Sequence, residues 1–291
     1  MPCYSPLDGY RSRSVNESGK RSVVFDVHEG FVDRPVSIPC GQCTGCRLEY
    51  SRQWAMRCMH EASLHDENCF ITLTYDEEHL PANGSLDKAA FPKFMKRLRK
   101  RFHGRRIRYY HAGEYGDRFG RPHYHSCLFG FDFPDKVSWP RKVDYPVWRS
   151  AVLESLWPFG ASEVGAVTFE SAAYVARYVT KKVTGKKAGE YYRGLQPEYS
   201  TMSRRPGIGK EWFEQYKCEV YAEDGVVVRG RLMKPPKFYD DQFELCEPDA
   251  MAAVRRARKK ARDSNEERGS RMLARKEVAE AKLSLKARRL S

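Results

Sequence analysis

The sequence predicts an α+β chain in which strands pair antiparallel and helices flank them. Three observations carry that expectation. Segments 69–75, 107–115 and 122–131 are rich in β-branched and aromatic residues, and the first alternates strictly between two sets of side chains. The last two are separated by GDRFGR, whose Asp and Gly suit a turn, so they form a hairpin. Segments 86–102 and 171–183 place apolar residues at helical spacing between and after these strands.

The bulk properties narrow the function classes. At 291 residues and 41% hydrophobic, the chain is large enough for one sizeable core or two small ones. A net charge of +14 and a pI near 9.3 call for a polyanionic partner, nucleic acid first and a membrane surface second. No window reaches the length of an apolar span, and MPCYSPLDGYRSRS has no apolar run, so neither a membrane segment nor a secretory leader is expected. Nine cysteines in a chain of this size fit a reducing cytosol, where clustered thiols bind metal more often than they form disulfides.

Along the chain, residues 1–66 are expected to be loop-rich and then helical. Cys40, Cys43 and Cys46 are spaced by two residues each, like part of a thiolate zinc site, with Cys3, Cys58 or His60 as candidates for the fourth ligand. Reduced, metal-free thiols are the plainer alternative. Residues 47–64 have helix-forming composition. CFITLTY (69–75) is a strand, and 76–85 is a loop broken by Pro81 and Asn83-Gly84. The helix over 86–102 carries Pro92 near its start and is heavily basic. Residues 87–108 hold ten Lys or Arg against one acid, and Lys96 and Arg97 are candidate DNA contacts.

A helix is expected over 144–157, a strand over 165–170, and a helix over 171–183 with Ser171 as its N-cap. Residues 184–210 set Tyr191, Tyr192 and Tyr199 among Lys186, Lys187, Arg193, Arg204 and Arg205, a pattern for holding single-stranded nucleic acid by stacking and charge. A hairpin over 218–232 turns at Asp224-Gly225. From about 248 the composition shifts, and residues 250–291 carry fourteen Lys or Arg against five acids, a helical or disordered basic tail suited to phosphate contacts. Four regions follow: 1–66, 67–185, 186–247 and 248–291.

Two constellations carry chemistry. In RPHYH (121–125) the strand period points His123 and His125 from one face, with Tyr124 behind the sheet. Two imidazoles suit one divalent metal, and a hard ion such as Mg²⁺ or Mn²⁺ also wants a carboxylate. Glu114 is the best candidate because it ends the strand paired with the histidine strand; Glu163 and Asp117 are weaker ones. In AAYVARYVTKKV, taking about 100° per residue with Tyr174 at zero, Tyr178 falls near 40° and Lys181 near −20°. Ala172, Val175, Ala176, Val179 and Val183 occupy a separate apolar arc. A phenol of pKa about 10 becomes a stronger nucleophile beside an ammonium group, and a phenolate facing a metal-polarised phosphate can attack phosphorus.

These residues carry a resemblance. FITLTY (70–75), RPHYH (121–125) and YVARYVTK (174–181) follow the motif order of HUH endonucleases that initiate rolling-circle replication. MPCYSPL, the segment from PCGQCTGCRLEY to FITLTYDEEHLP, and GEYGDRFGRPHYHSCLFGF are similar to the replication initiators of gokushoviruses, small single-stranded DNA phages. The resemblance covers residues 1 to about 215; the last 40 or so match only in basic character.

It implies a central antiparallel sheet with flanking helices, of the HUH endonuclease or RRM-like type, plus a Cys-rich N-terminal region and a basic tail. It implies His123, His125 and Glu114 as metal ligands, Glu114 standing nine residues before His123. It implies Tyr174 and Tyr178 as alternating nucleophiles with Lys181 three residues after Tyr178, whereas Arg177 holds that offset after Tyr174. Arg177 and Lys182 join the candidate DNA contacts. The expected partners are single- and double-stranded phage origin DNA, and a host helicase and polymerase, since the chain has no G-x-x-x-x-G-K-[ST]. The expected location is the bacterial host's cytoplasm. Two other classes stand beside this one. A histidine-triad hydrolase would want a third histidine where the chain has Cys127. A non-catalytic zinc-bearing nucleic-acid binder would explain the charge and the cysteines but leave the tyrosines idle.

Overall fold

The computed structural model describes residues 3–17, 19, 21–116, 120–140, 145–183, 188–261 and 269–287, the side chains of 178–181, 286 and 287 excepted. The chain divides into two compact units, residues 1–50 with 262–291, and residues 51–261.

In the first unit, β1 (Leu7–Ser12), β2 (Val23–Val24) and β3 (Gly30–Ile38) form an antiparallel sheet in the order β2-β1-β3. Sequence reasoning placed loops here. The strands escaped notice because most of their side chains are exposed, so no hydrophobic alternation marks them. Gly30 permits close approach, since a Cβ there would sit 2.3 Å from Tyr10 Cβ. Helix α1 (Thr44–Ala62) starts in this unit and continues in the second.

The second unit is built on β4 (Asn68–Thr74), α2 (Ala90–Arg101), β5 (Arg108–Tyr115), β6 (Pro122–Phe129), β7 (Val137–Ser138), β8 (Trp148–Arg149), α3 (Ala151–Leu156), β9 (Ser162–Gly165), α4 (Phe169–Lys181), α5 (Ala188–Tyr192) and β10 (Tyr199–Met202). Its sheet has seven strands in the order β10-β5-β6-β4-β9-β8-β7, every described pairing antiparallel. Strands β4, β5 and β6 form the centre, and both of their faces are covered. One face presents Cys69, Ile71, Leu73, Tyr124 and Leu128 to Phe91, Phe94 and Leu98 of α2 and Leu153 of α3. The other presents Tyr110, Ala112, Cys127 and Phe129 to Trp54, Ala55 and Cys58 of α1 and Ala172, Val175 and Ala176 of α4. This is a mixed α+β fold on a large antiparallel sheet, consistent with the HUH-endonuclease-like class.

Several boundaries differ from expectation. The helix predicted over 144–157 is confined to α3, because Trp148 and Arg149 pair into the sheet and Ser150, β-extended, caps the helix by accepting from the Leu153 amide at 3.0 Å. The strand predicted over 165–170 lies earlier, at β9. Thr168, not Ser171, is the N-cap of α4: Thr168 Oγ1 accepts from the Ser171 amide, and Ser171 Oγ accepts from the Thr168 amide, closing a capping box.

Beyond β10 the second unit continues through α6 (Lys210–Ala222), β11 (Val226–Val228), β12 (Arg231–Met233), α7 (Lys237–Cys246) and α8 (Pro248–Lys260). The hairpin predicted over 218–232 is therefore a helix end followed by the short β11–β12 pair. Helix α8 packs inward rather than trailing as a tail: Met251 is buried with Phe213, Tyr239 and Phe243, and Arg258 bridges Asp224 and Asp240. Helix α9 (Gly269–Ala287) belongs to the first unit.

Candidate functional site

Strand register assembles the site. Across β5 and β6, Glu114 lies opposite His123 and Ala112 opposite His125. Across β4 and β6, Thr74 lies opposite His123 and Thr72 opposite His125. Directly paired residues share a face, so these polar side chains stand together on the side covered by α1 and α4, while Tyr124 enters the opposite core. Glu163 of β9 pairs with Thr72 and so belongs to the same face.

His125 is the hub. It is only 4% exposed, yet both ring nitrogens have partners: Nε2 lies 2.8 Å from Glu114 Oε1 and Nδ1 lies 3.1 Å from Thr72 Oγ1. Phe70 lies nearly parallel to the ring, with centroids 5.9 Å apart. His123 is half-buried, its ring centroid 6.3 Å from that of His125. Burial, then the neighbouring His125 and Arg121, lowers the pKa of His123 to about 4. It is therefore neutral at pH 7, the form that ligates metal. Gly116, just past β5, keeps the space open, since a Cβ there would stand 3.1 Å from His123 Nε2.

By donor type two imidazoles and a carboxylate suit a divalent ion, but among the described residues the ligand atoms that close within 4.8 Å of one another in a group of three or more are those of four cysteines, not of these three. The 2.8 Å between His125 Nε2 and Glu114 Oε1 is close to the edge, about 3 Å, of an octahedron around Mg²⁺. Thr72 was missed in the sequence. The available signal was a hydroxyl two positions from each neighbour on its strand face, paired with a histidine that needs its second nitrogen fixed.

Helix α4 brings the phenol. Its Ala172, Val175 and Ala176 are fully buried against the sheet, and Ser51 Oγ donates to the Ala173 carbonyl at 2.7 Å. That docking turns Tyr174 onto His125, edge to face, with ring centroids 5.1 Å apart at 83°. The Arg177 guanidinium sits 5.9 Å from the Tyr174 ring centre. Tyr178 and Lys181 follow on the same helix, but their side chains lie outside the described residues, as do Lys186, Lys187 and Asp117 altogether. Lys182 is the half-buried C-cap of α4. Lys96 is exposed on α2, which covers the sheet face opposite the histidines. Arg97 donates to the Leu156 carbonyl at 3.0 and 2.8 Å, closing the end of α3.

The first unit holds a separate cluster. The sulfurs of Cys3, Cys40, Cys43 and Cys46 all lie within 4.8 Å of one another. Cys3 is thus the fourth member. Cys58 is fully buried in the second unit's core, and His60 hydrogen-bonds Tyr239 at 2.8 Å and stacks on Trp212. Burial opposes ionisation of Cys43, but the amides of Cys46 and Tyr4 outweigh it and bring the thiol down to about 6. Burial pushes the neighbouring Cys46 thiol up instead, and the four clustered thiols are compatible in number and spacing with zinc.

Known proteins resemble this chain in sequence. A family model described as replication-associated protein ORF2/G2P matches residues 68–183, from β4 through α4. Replication-associated protein VP4 of Bdellovibrio phage phiMH2K is 35% identical over 222 residues, covering 73% of this chain and 69% of that protein. Replication-associated protein ORF2 of Spiroplasma virus 4 is 36% identical over 265 residues, covering 84% and 81%. Replication-associated protein ORF4 of Chlamydia phage 1 is 32% identical over 214 residues, covering 70% and 53%. No solved structure matches the chain. With relatives aligned along most of its length and the family region coinciding with the sheet and helix that carry the histidines and Tyr174, the chain belongs to the replication-associated proteins of the gokushovirus-like phages.

Proposed function

We propose that this protein initiates rolling-circle replication by nicking one strand of the phage origin and later rejoining it. The observation that carries this reading is the Tyr174 ring held edge-on at 5.1 Å from His125, on the sheet face that also bears Glu114 and His123. His123, His125 and Glu114 would hold Mg²⁺ or Mn²⁺. When bound, the ion would polarise the scissile phosphate and offset its charge.

The chain's own groups do the rest. Thr72 fixes the His125 ring through Nδ1 and leaves Nε2 toward the site. The phenol oxygen of Tyr174 or Tyr178 attacks phosphorus, and its proton passes to solvent. The bond from phosphorus to the 3′ oxygen breaks, and that oxygen takes up a proton to become the 3′ hydroxyl used by a host polymerase. The 5′ phosphate stays on tyrosine. After one round, the second tyrosine cuts the regenerated origin, and the 3′ hydroxyl so released attacks the first phosphotyrosine and closes the circle. Each step makes one phosphoester bond and breaks one, so no nucleotide is consumed. The Lys181 ammonium would favour the attacking phenolate, and Lys182 and Arg177 would bind the strand's phosphates, with a host helicase opening the duplex in the host cytoplasm.

The test uses a 3′-end-labelled origin oligonucleotide with Mn²⁺ on a denaturing gel. A labelled protein band is expected, absent from the Tyr174→Phe/Tyr178→Phe double variant. No adduct under any divalent metal would overturn the reading. That outcome would favour a non-catalytic, zinc-bearing nucleic-acid binder, the reading supported by the four clustered thiols.

A further inference from the structure

The first unit has a problem of cohesion. Among its described residues, Cys46 is the one hydrophobic side chain that is buried, whereas Leu7, Val15, Phe25, Val27 and Val32 are exposed. The large apolar clusters all belong to the second unit. A small sheet without an apolar core needs another tie to stay folded.

The strand register shows where that tie sits. Pairing of β1 with β3 ends at Leu7 opposite Ile38. The chain before Leu7 and the chain after Ile38 therefore leave the sheet side by side, carrying Cys3 and Cys40. Gly41, at φ 73°, turns the backbone so that the Cys43 amide donates to Cys40 Sγ at 3.3 Å. Two further amides point at sulfur: Cys40 N to Cys3 Sγ and Tyr4 N to Cys43 Sγ, both at 3.3 Å. Amide donors aimed at sulfur suit thiolates, which accept, better than thiols. The Sγ separations are 3.7 Å for Cys3–Cys40 and 4.0 Å for Cys3–Cys43. A tetrahedron with Zn–S bonds of 2.3 Å has edges of about 3.8 Å. A disulfide would need about 2 Å.

We propose that Cys3, Cys40, Cys43 and Cys46 bind one Zn²⁺ as four thiolates, and that this ion is what holds the first unit folded. Zinc closes the open end of the β1–β3 ladder onto the start of α1, taking the place of an apolar core. The four thiols release their protons on binding, with no change of oxidation state. The cysteines belong to the first unit and the histidines to the second, and the two ion classes differ: soft thiolates for zinc, imidazole and carboxylate for Mg²⁺ or Mn²⁺.

The full chain, purified under reducing conditions without added metal, should retain about one zinc per molecule. Exchange with Co²⁺ should give the visible bands of a tetrahedral thiolate site. Cys43→Ser should reduce retained zinc to less than about a tenth of that and strip amide-exchange protection from residues 3–50, leaving 51–261 protected. Cys218→Ser, altering an exposed thiol outside the cluster, should change neither. His123→Ala should leave the Co²⁺ spectrum intact, so failure of the nicking reading and failure of this one are told apart. A zinc-free chain with residues 3–50 still protected would overturn the proposal. So would intact-mass evidence that these four cysteines are paired as disulfides in the reduced preparation.

Discussion

The two faces of the central strands differ in what they pack against. On one side of β6, Tyr124 is enclosed by Tyr75 and Trp157, with ring centroids at 5.8 and 5.7 Å, in a cluster that also takes in Phe91, Phe94 and Leu128. One residue along in either direction, His123 and His125 face the other way, toward Glu114, Thr72 and Tyr174. The first face is held by many interchangeable contacts. The second has its own apolar cluster with α1 and α4, but its polar end depends on a few pairwise contacts set by strand register and by the docking of α4. Stability and chemistry should therefore come apart under mutation.

The largest effect expected is on the polar face. His125→Ala should slow adduct formation by about 10³-fold or more, since the proposed ion would supply several kcal/mol at the transition state. The denaturation midpoint should move little by comparison; a variant that unfolds would refute the division between the faces. The mirror experiment is Phe94→Ala. That ring is fully buried, and its loss should cost about 3–5 kcal/mol in urea unfolding while adduct yield per folded molecule is kept. Thr72→Val sharpens the contrast at a single hydrogen bond. Mn²⁺ affinity should fall about 10–100-fold, and nitrogen NMR of the metal-free chain should show a changed His125 tautomer ratio, with Thr72→Ser restoring both.

The smallest effect is on pH dependence. Burial on the outer side of α1, against Trp212, lowers the His60 pKa to about 4. As pH falls from about 6.5 toward 4, the unfolded chain takes up a proton that folded His60 refuses, so stability is lost over that window, by at most about 1.4 kcal/mol per pH unit. Comparing urea midpoints of the native chain and His60→Gln at two pH values in that window should show a shallower slope in the variant.

Much of the polar face was legible beforehand, because period-two patterning is strong where one strand face is apolar. CFITLTY and RPHYHSCLF show it, and the Ala/Val arc of α4 set Tyr174 apart from the packing residues. Elements with no apolar face were hidden. β1 and β3 are largely exposed, and β10 lies in a stretch whose tyrosines and basic residues suggested a nucleic-acid surface. Composition misled at α8, where Arg258 is paired with Asp224 and Asp240 instead of facing phosphates. At α2 the basic run carried no sign of which side of the sheet the helix covers, and the structure places it on the face opposite the histidines.

Strand pairing also limits where the second unit could be cut. β10 hydrogen-bonds to β5, the strand bearing Glu114, yet it is drawn from residues well past the tyrosine helix. A fragment ending soon after α4 would leave β5 as a bare border, with amides and carbonyls ready to recruit another chain. A soluble minimal fragment must therefore run at least through Met202, and one trimmed near residue 185 should associate with itself before it can be assayed.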